Sequence, residues 1–249
     1  YLEFLGKDKN TKVICMYIEG IKDGKRFMTI AKNMNKPIII LKGGKFSKGA
    51  KAVMSHTGSL AGSFDIYKAA FKQSKIILAD SVEDMFEIAK LFDQLIKPKG
   101  KNIQVITNGG GYGVLTTDAL EENNLLMSEL SNVSKEILKK NLPITATVSN
   151  PIDLIGDATN SRYDFTLQVV CNDKNVDIIL VILLQQTPAI DDNIVSVISK
   201  YSKKKPLVVI STGGKQTQKI TFGLESNKVP VFSFPDKAVI ALKKYLEFY

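Results

Sequence analysis

Short apolar runs alternate with helix-patterned segments along the whole chain. The strand-like runs are residues 12–18, 36–41, 75–78, 102–107, 176–184, 206–211 and 229–232. The segments with helical spacing are residues 1–6, 25–34, 64–73, 82–95, 114–122, 133–141, 161–171, 191–201, 215–227 and 235–248. Strands that alternate with helices predict parallel sheets covered by helices on both faces, so the fold class is α/β.

A polar segment at residues 96–101, which contains Pro98 and Gly100, interrupts this alternation. Polar stretches with proline and glycine are typical of domain boundaries. We therefore predict two open parallel-sheet domains, residues 1–97 and 98–249. In open α/β sheets, ligands bind at the carboxyl ends of the strands. The loops that matter for function are therefore those after residues 18, 41, 107, 184 and 211.

Composition and charge exclude several classes of protein. The net charge is +9, but the lysines are dispersed and tryptophan is absent, which argues against a nucleic-acid module. No apolar run approaches the ~20 residues of a membrane span. Cys15 and Cys171 form no CxxC pair, which predicts structural thiols and a cytoplasmic protein. With one histidine, the sequence also predicts no zinc or other protein-bound metal site.

That histidine, His56, lies in the sequence Ser-His-Thr-Gly-Ser-Leu-Ala-Gly-Ser at residues 55–63. We interpret this segment as a glycine-rich loop that precedes the helix at 64–73. An imidazole is a plausible nucleophile, and the backbone N–H groups and hydroxyls beside it could hold a phosphate. A basic loop at 42–51 lies just upstream and could attract phosphates. From the loop alone, a surface histidine without a role stays open.

Two further stretches carry candidate chemistry. Glu19 follows the first strand, where a carboxylate could fix one ring nitrogen of His56, although an ordinary surface acid remains the alternative. Asn108-Gly-Gly-Gly-Tyr-Gly113 lies between a strand and a helix, which predicts an anion site at a helix N-terminus. It matches neither the dinucleotide fingerprint nor a P-loop, and a tight turn without a ligand is the alternative. The rigid polar loop at 150–159 could likewise be an ordinary connection.

Five stretches together resemble one known family. They are Tyr-Ile-Glu-Gly at 17–20 with its continuation to 24, residues 41–52, the Ser-His-Thr-Gly-Ser-Leu-Ala-Gly motif, Thr-Asn-Gly-Gly-Gly-Tyr-Gly-Val at 107–114 with its continuation to 119, and residues 150–159. The chain resembles the NDP-forming acyl-CoA synthetases, relatives of succinyl-CoA synthetase. Within that family it is similar to the α-type subunit of ADP-forming acetate–CoA ligases. The resemblance implies two flavodoxin-like domains, 1–97 bearing a phosphohistidine and 98–249 the ligase-CoA domain. The first is expected to lack its first strand.

The resemblance also implies roles for residues. His56 becomes phosphorylated, and Glu19 orients it. Two helix N-termini hold the phosphoryl group, and the residues expected to bind it are Ser55, Thr57, Gly58, Ser59, Asn108, Gly109, Gly110, Gly111 and Gly113. The implied reaction is acyl-CoA + ADP + phosphate ⇌ acid + CoA + ATP.

Mg-ATP or Mg-ADP and CoA would be bound by an ATP-grasp domain or β-type subunit and a CoA-binding domain, neither of which is recognisable in these 249 residues. We therefore expect a piece of a larger, oligomeric enzyme that acts on a small carboxylic acid, without nucleic-acid or membrane partners.

Two alternatives belong to other classes of protein. A non-catalytic regulatory or scaffolding module could keep these domains without the chemistry. A flavodoxin-like electron carrier would need a flavin. The presence of both His56 and Glu19 favours the ligase. The sequence does not name the acid: acetate is the family default, and branched or aryl acids are open.

Overall fold

The structure is a computed structural model that describes residues 1–57, 62–185 and 189–249, and only the backbone of His56 and Thr57. The chain divides into two compact units. The first comprises Tyr1–Asp93 with Lys244–Tyr249, and the second comprises Gln94–Lys243. Across the described ranges, every helix is too short or too polar to cross a lipid bilayer.

The first unit is built on a parallel sheet of three strands in the order β1-β2-β3. They are β1 (Ile14–Ile18), β2 (Ile38–Lys42) and β3 (Ile77–Ala79). The β1–β2 register pairs Ile14 with Ile38 and continues to Ile18 with Lys42. The central strand β2 has the β-branched run Ile-Ile-Ile, which is fully buried. Such a run favours a strand covered on both faces.

Five helices of the first unit surround this sheet. They are α1 (Leu2–Lys7), α2 (Gly24–Lys32), α3 (Ser47–Thr57), α4 (Phe64–Gln73) and α5 (Val82–Gln94). The Asp23 carboxylate accepts a hydrogen bond from the Arg26 N–H and so caps the start of α2. Phe71 of α4 packs into the core against β2.

Helix α3 corrects one prediction. The sequence analysis assigned residues 42–51 to a basic loop and 55–63 to the histidine loop, but α3 runs from Ser47 to Thr57. Among the described side chains of α3, only Val53 is buried. A helix with so narrow an apolar face has little hydrophobic periodicity, which is why its pattern is missed in the sequence.

The second unit contains a parallel sheet of five strands in the order β5-β4-β6-β7-β8. They are β4 (Ile103–Thr107), β5 (Ile152–Asp153), β6 (Ile178–Leu184), β7 (Leu207–Thr212) and β8 (Val231–Phe232). Every residue of β4 is buried, as are six of the seven in β6. The run of β6 is apolar throughout, and β4 contains only Gln104 and Thr107 as polar residues, as expected for strands covered by helices on both faces. The two parallel sheets confirm the predicted fold class.

The helices of the second unit are α6 (Gly110–Glu122), α7 (Asn132–Asn141), α8 (Asn160–Asn172), α9 (Ile194–Ser202), α10 (Lys215–Ser226) and most of α11 (Pro235–Phe248). The hydroxyls of Ser131 and Thr159 cap α7 and α8. The buried Tyr163 hydroxyl donates to the Ile182 carbonyl at 2.7 Å. Both cysteines are free and half-buried, and burial raises the pKa of the Cys171 thiol to about 11, which keeps it protonated and unreactive at neutral pH.

The last residues of α11 belong to the first unit. The ring of Phe92 in α5 lies 4.8 Å from that of Tyr245 and 5.3 Å from that of Phe248. Lys244 Nζ contacts the Asp84 carboxylate at 2.6 Å. The first unit therefore includes the last six residues of the chain, Lys244–Tyr249, whereas a domain defined as residues 1–97 leaves them out. The 97/98 boundary itself stays a prediction.

We expect the Phe92→Ala substitution to destabilise the first unit by roughly 2 kcal/mol, somewhat less than the usual loss for a fully buried phenylalanine, because Phe92 is half-buried. Urea unfolding followed by circular dichroism measures this. The matched control is Phe46→Ala, since the Phe46 side chain is 81% exposed and its truncation should change stability by less than about 0.5 kcal/mol. Equal effects of the two substitutions would contradict the proposed contact.

Candidate active site

Glu19 lies immediately after β1, at the carboxyl edge of the first sheet. Its Oε1 accepts a hydrogen bond of 3.1 Å from the Tyr17 hydroxyl. That bond, followed by desolvation and the negative charge of Glu19, raises the pKa of Tyr17. The Tyr17 hydroxyl lies against Gly43, where an added Cβ would approach it to 2.6 Å. The absence of a side chain at position 43 thus lets Tyr17 reach the carboxylate.

Lys42, the last residue of β2, lies at the same carboxyl edge of the first sheet. It is only 1% exposed. Its ammonium donates to the Gly43 carbonyl and lies 4.8 Å from the centre of the Tyr67 ring. Desolvation lowers the pKa of Lys42, and the charge of Glu19 partly opposes that effect. The sequence analysis placed Lys42 in a basic loop that could attract phosphates, whereas the structure places it at the buried end of β2. The available signal was a lysine that directly ends a buried apolar run.

Tyr67 connects this lysine to the loop that carries Glu19. The Tyr67 hydroxyl accepts a hydrogen bond of 3.2 Å from the Ile21 N–H, two residues beyond Glu19. Tyr67 belongs to α4 and packs against Phe71 in the core, with ring centres 5.7 Å apart. The loop after β1 is therefore anchored to the helix that follows the histidine motif.

The backbone of His56 lies in the last turn of α3. The hydroxyl of the preceding residue, Ser55, donates to the Ala52 carbonyl at 2.9 Å, within the helix. The predicted phosphate-binding residues Gly58 and Ser59 lie outside the described residues. The predicted helix after the motif begins at Phe64, with Ser63 as its N-cap. The roles of Ser55, His56 and Thr57 in phosphate chemistry stay predictions.

In the second unit, the predicted anion site begins with Asn108, whose side chain is engaged in the fold. Its Nδ2 donates to the Leu184 carbonyl at 2.8 Å, and its Oδ1 accepts from the Leu184 N–H at 2.9 Å. Asn108 is 4% exposed. This reciprocal pair joins the carboxyl ends of the neighbouring strands β4 and β6. A phosphate-binding role for Asn108 would therefore have to use its backbone.

The glycines that follow Asn108 start α6. Gly109 is the N-cap, and Gly110, Gly111 and Gly113 lie in the first turn, so this segment is helical from Gly110 and not from residue 114 as predicted. An added Cβ on Gly109 would come within 2.3 Å of a Leu184 methyl, whereas no atom of the described residues lies within 4 Å of that position on Gly111. The first turn thus has close packing on one side and open space on the other. The Gly113 N–H donates to the Gly109 carbonyl at 3.1 Å, so the groups that can bind an anion are the N–H groups of Gly110 and Gly111.

The loop at 150–159 is hydrogen-bonded to β4 and reaches the start of α6. The Asn150 side chain accepts from the Val105 N–H at 3.0 Å and donates to the Ile103 carbonyl at 2.7 Å. Asp153 Oδ1 accepts from the Ile155 N–H at 2.9 Å, and its Oδ2 lies 3.2 Å from where a Cβ on Gly110 would stand. A carboxylate therefore sits near the N-terminus of α6, where its charge is favourable. Within the described ranges, no three His, Cys, Asp or Glu side chains are grouped as metal ligands.

Comparison with known proteins assigns both units to described families. Residues 1–92 match the succinyl-CoA ligase like flavodoxin domain, and residues 103–245 match the ligase-CoA domain. The chain belongs to the NDP-forming acyl-CoA synthetase family. The resemblance stated from the sequence motifs is thereby confirmed.

Individual family members match over nearly the whole chain. The α subunit of ADP-forming acetate–CoA ligase II from Pyrococcus furiosus is 38% identical over 248 residues, which are 96% of this chain and 54% of the relative. The α subunit of ligase I from the same organism is 40% identical, over 97% of this chain and 53% of the relative. A solved structure of the dinucleotide-forming acetyl-coenzyme A synthetase 1 of Ca. Korarchaeum cryptofilum in complex with phosphate and ADP superimposes with a TM-score of 0.91 at 35% identity, covering 99% of this chain and 55% of that one.

This family member therefore spans about half the length of the curated relatives it matches. The matched relatives are larger multidomain or multisubunit ligases whose names imply the use of ADP and CoA.

The Tyr17–Glu19 bond predicts a measurable titration. Because the bonded carboxylate stabilises the protonated phenol, the Tyr17 hydroxyl should titrate above the usual ~10. The Glu19→Gln substitution should lower its midpoint, since the negative acceptor is lost. Nuclear magnetic resonance of ¹³Cζ-labelled tyrosine measures this, with Tyr17→Phe to assign the resonance. An unchanged midpoint in Glu19→Gln would argue against the bond.

We also expect Asn108→Ala to cost roughly 2–4 kcal/mol of stability, because the N–H and carbonyl of Leu184 would both lose their side-chain partner. Denaturant unfolding gives the value. The matched control is Asn141→Ala: Asn141 is exposed and bonds only the Ile137 carbonyl of its own helix, so its loss should stay within about 0.5 kcal/mol. A similarly small loss at Asn108 would show that its side chain is dispensable for the fold.

Proposed function

We propose that this chain is the phosphohistidine-carrying core of an ADP-forming acyl-CoA synthetase of the acetate–CoA ligase type. The main support is the hydrogen-bonded Tyr17–Glu19 pair at the carboxyl edge of the first sheet, together with α3, whose last turn carries the only histidine of the chain. The second support is the similarity to acetate–CoA ligase α subunits over nearly all residues.

In the proposed reaction, phosphate displaces CoA from the acyl-CoA to give an acyl phosphate. A ring nitrogen of His56 attacks its phosphorus, so that an N–P bond forms, the acyl O–P bond breaks and the free carboxylate leaves. The phosphoryl group then passes from His56 to ADP, which regenerates the imidazole and forms ATP. Phosphoryl transfer of this kind depends mainly on positioning and charge stabilisation.

Glu19 is the proposed partner of the imidazole. A carboxylate that accepts the second ring N–H fixes the tautomer and supports the positive charge that develops on the ring. Tyr17 restrains this carboxylate by binding Oε1. An ionised carboxylate has further acceptor capacity, so the bond with Tyr17 is compatible with a second one to the ring.

The N-terminus of α6 is the proposed phosphate cradle of the second unit. Its contribution comes from the backbone N–H groups of Gly110 and Gly111, next to the open space at Gly111, whereas the Gly113 N–H is already bonded to the Gly109 carbonyl. The N-terminus of α4, with the residues of the histidine motif, is the corresponding cradle of the first unit. Thr57, Gly58 and Ser59 belong to that proposal on the strength of the motif.

The remaining requirements fall to other domains. Mg-ATP or Mg-ADP would be bound by an ATP-grasp domain or subunit, and CoA by a CoA-binding domain. In this proposal Mg²⁺ arrives with the nucleotide. The substrate is a small carboxylic acid, with acetate as the first to test because the relatives are named for it. A cytoplasmic, oligomeric assembly completes the proposal.

The test uses the full-length enzyme with its nucleotide-binding part. Incubated with Mg-[γ-³²P]ATP, it should acquire acid-labile label on the peptide that contains residue 56, and His56→Ala should lose that label because it removes the only imidazole of the chain. Met54→Ala, an exposed position on the same helix, is the matched control and should keep the label.

Label that persists on this peptide in His56→Ala, or its absence from the wild-type enzyme, would contradict the proposal. The double variant Glu19→Gln, His56→Asn should form no acyl-CoA. If it retains wild-type activity, the chain is a regulatory or scaffolding module instead.

A further inference from the structure

Lys42 is a buried charge that the proposed reaction does not yet use. In the parallel register of β1 and β2 it stands opposite Ile18, the residue before Glu19. Neighbouring parallel strands end at the same edge of a sheet, so Lys42 and Glu19 both stand at the carboxyl edge. Their proximity is reflected in the charge of Glu19, which raises the pKa of Lys42 against the effect of burial.

Packing alone does not explain why a lysine occupies position 42. A charge that is 1% exposed loses most of its hydration, and the contacts it makes with described residues, one carbonyl bond and one aromatic face, replace only part of it. An unbranched apolar side chain such as methionine would fill similar space without that loss, and replacing buried charges by apolar groups is often neutral or stabilising. The charge is therefore expected to serve something other than stability.

The described contacts of Lys42 connect it to the loop that carries Glu19. The ammonium lies over Tyr67, whose hydroxyl holds the Ile21 N–H in the same loop as Glu19. It also binds the carbonyl of Gly43, the residue against which the Tyr17 hydroxyl packs. Tyr17 in turn donates to Glu19. Two tyrosines and one lysine thus restrain the loop and the carboxylate from different sides.

We propose that Lys42 is a positioning residue of the phosphoryl-transfer site, whose buried ammonium, through its contacts with Gly43 and Tyr67, holds the Glu19 carboxylate in place as the acceptor for the His56 ring. This inference rests on the proposed function. In the proposed step the imidazole gains positive charge as its N–P bond forms, and a carboxylate that is fixed beside the ring stabilises that charge.

The experiment measures the rate of ³²P incorporation from Mg-ATP into the full-length enzyme by rapid quench, and thermal unfolding in parallel. Lys42→Met should slow incorporation about 10- to 100-fold, as is usual for residues that orient a reacting side chain. Its unfolding temperature should stay the same or rise, because a desolvated charge is removed. Lys42→Arg, which keeps the charge, should recover part of the rate.

The matched control is Lys36→Met in the same unit. Lys36 is also partly buried and donates to the Leu5 and Asp8 carbonyls. It precedes β2 at the amino edge of the sheet, the opposite edge from Glu19. Its loss should lower the unfolding temperature and leave the incorporation rate of the folded enzyme unchanged. If Lys42→Met behaves like Lys36→Met, the inference is overturned. Should Lys42→Met fail to fold, Lys42→Gln, which is neutral but polar, is measured in its place.

A double-variant cycle separates action through Glu19 from a general effect. In the Glu19→Gln background, adding Lys42→Met should change the rate by no more than about twofold, because the carboxylate it positions is already gone. Independent, multiplying losses would refute the inference. The proposed function is tested separately by the wild-type enzyme: if the wild type acquires no label on the His56 peptide, that proposal fails. If the wild type is labelled and Lys42→Met is labelled as fast, only the role of Lys42 fails.

Discussion

The in-register parallel pairing of β1 with β2 is the constraint on which the first unit depends. It is set by the apolar residues, since Ile14 pairs with Ile38 and Met16 with Ile40 inside the sheet. The same register places Lys42 opposite Ile18 and so brings opposite charges to the carboxyl edge. A slip by one residue would move every side chain of a strand to the other face and separate the pair. The strand pairing that buries the core therefore also brings Lys42 and Glu19 to the same edge of the sheet.

The sequence predicts most of the fold because its signals are local. Helix α4 begins and ends at the predicted residues, Phe64 and Gln73, and α11 likewise runs from Pro235 to Phe248. Helix α3 was missed because its face toward the core is so narrow. The short strand β5 was also missed, since its two residues lie in a stretch without periodicity. Hydrophobic periodicity can be recognised only over several helical turns or strand residues. Very short strands and helices with a narrow apolar face are therefore missed.

The site was predictable only in part, for a different reason. The positions of Glu19 and of the glycines at the start of α6 follow from the strands that precede them, and those strands were predicted. The contacts that define their chemistry join distant parts of the chain. Asn108 bonds the backbone of Leu184, 76 residues away, and Tyr67 reaches Ile21 across 46. No local property of asparagine or tyrosine indicates such a partner. The burial of Lys42 is also hard to predict, because lysine is nearly always exposed and its position directly after a buried apolar run is the one local signal.

Both proposed anion sites are helix N-termini, that of α4 in the first unit and that of α6 in the second. The backbone N–H groups at the start of α6 cannot change protonation state, and the Asp153 carboxylate lies beside them. A carboxylate so close to a phosphate cradle weakens the hold on a resting anion. Weak binding of the resting anion suits phosphoryl transfer, because a phosphoryl group that is bound too tightly before or after transfer would not be passed to the next acceptor.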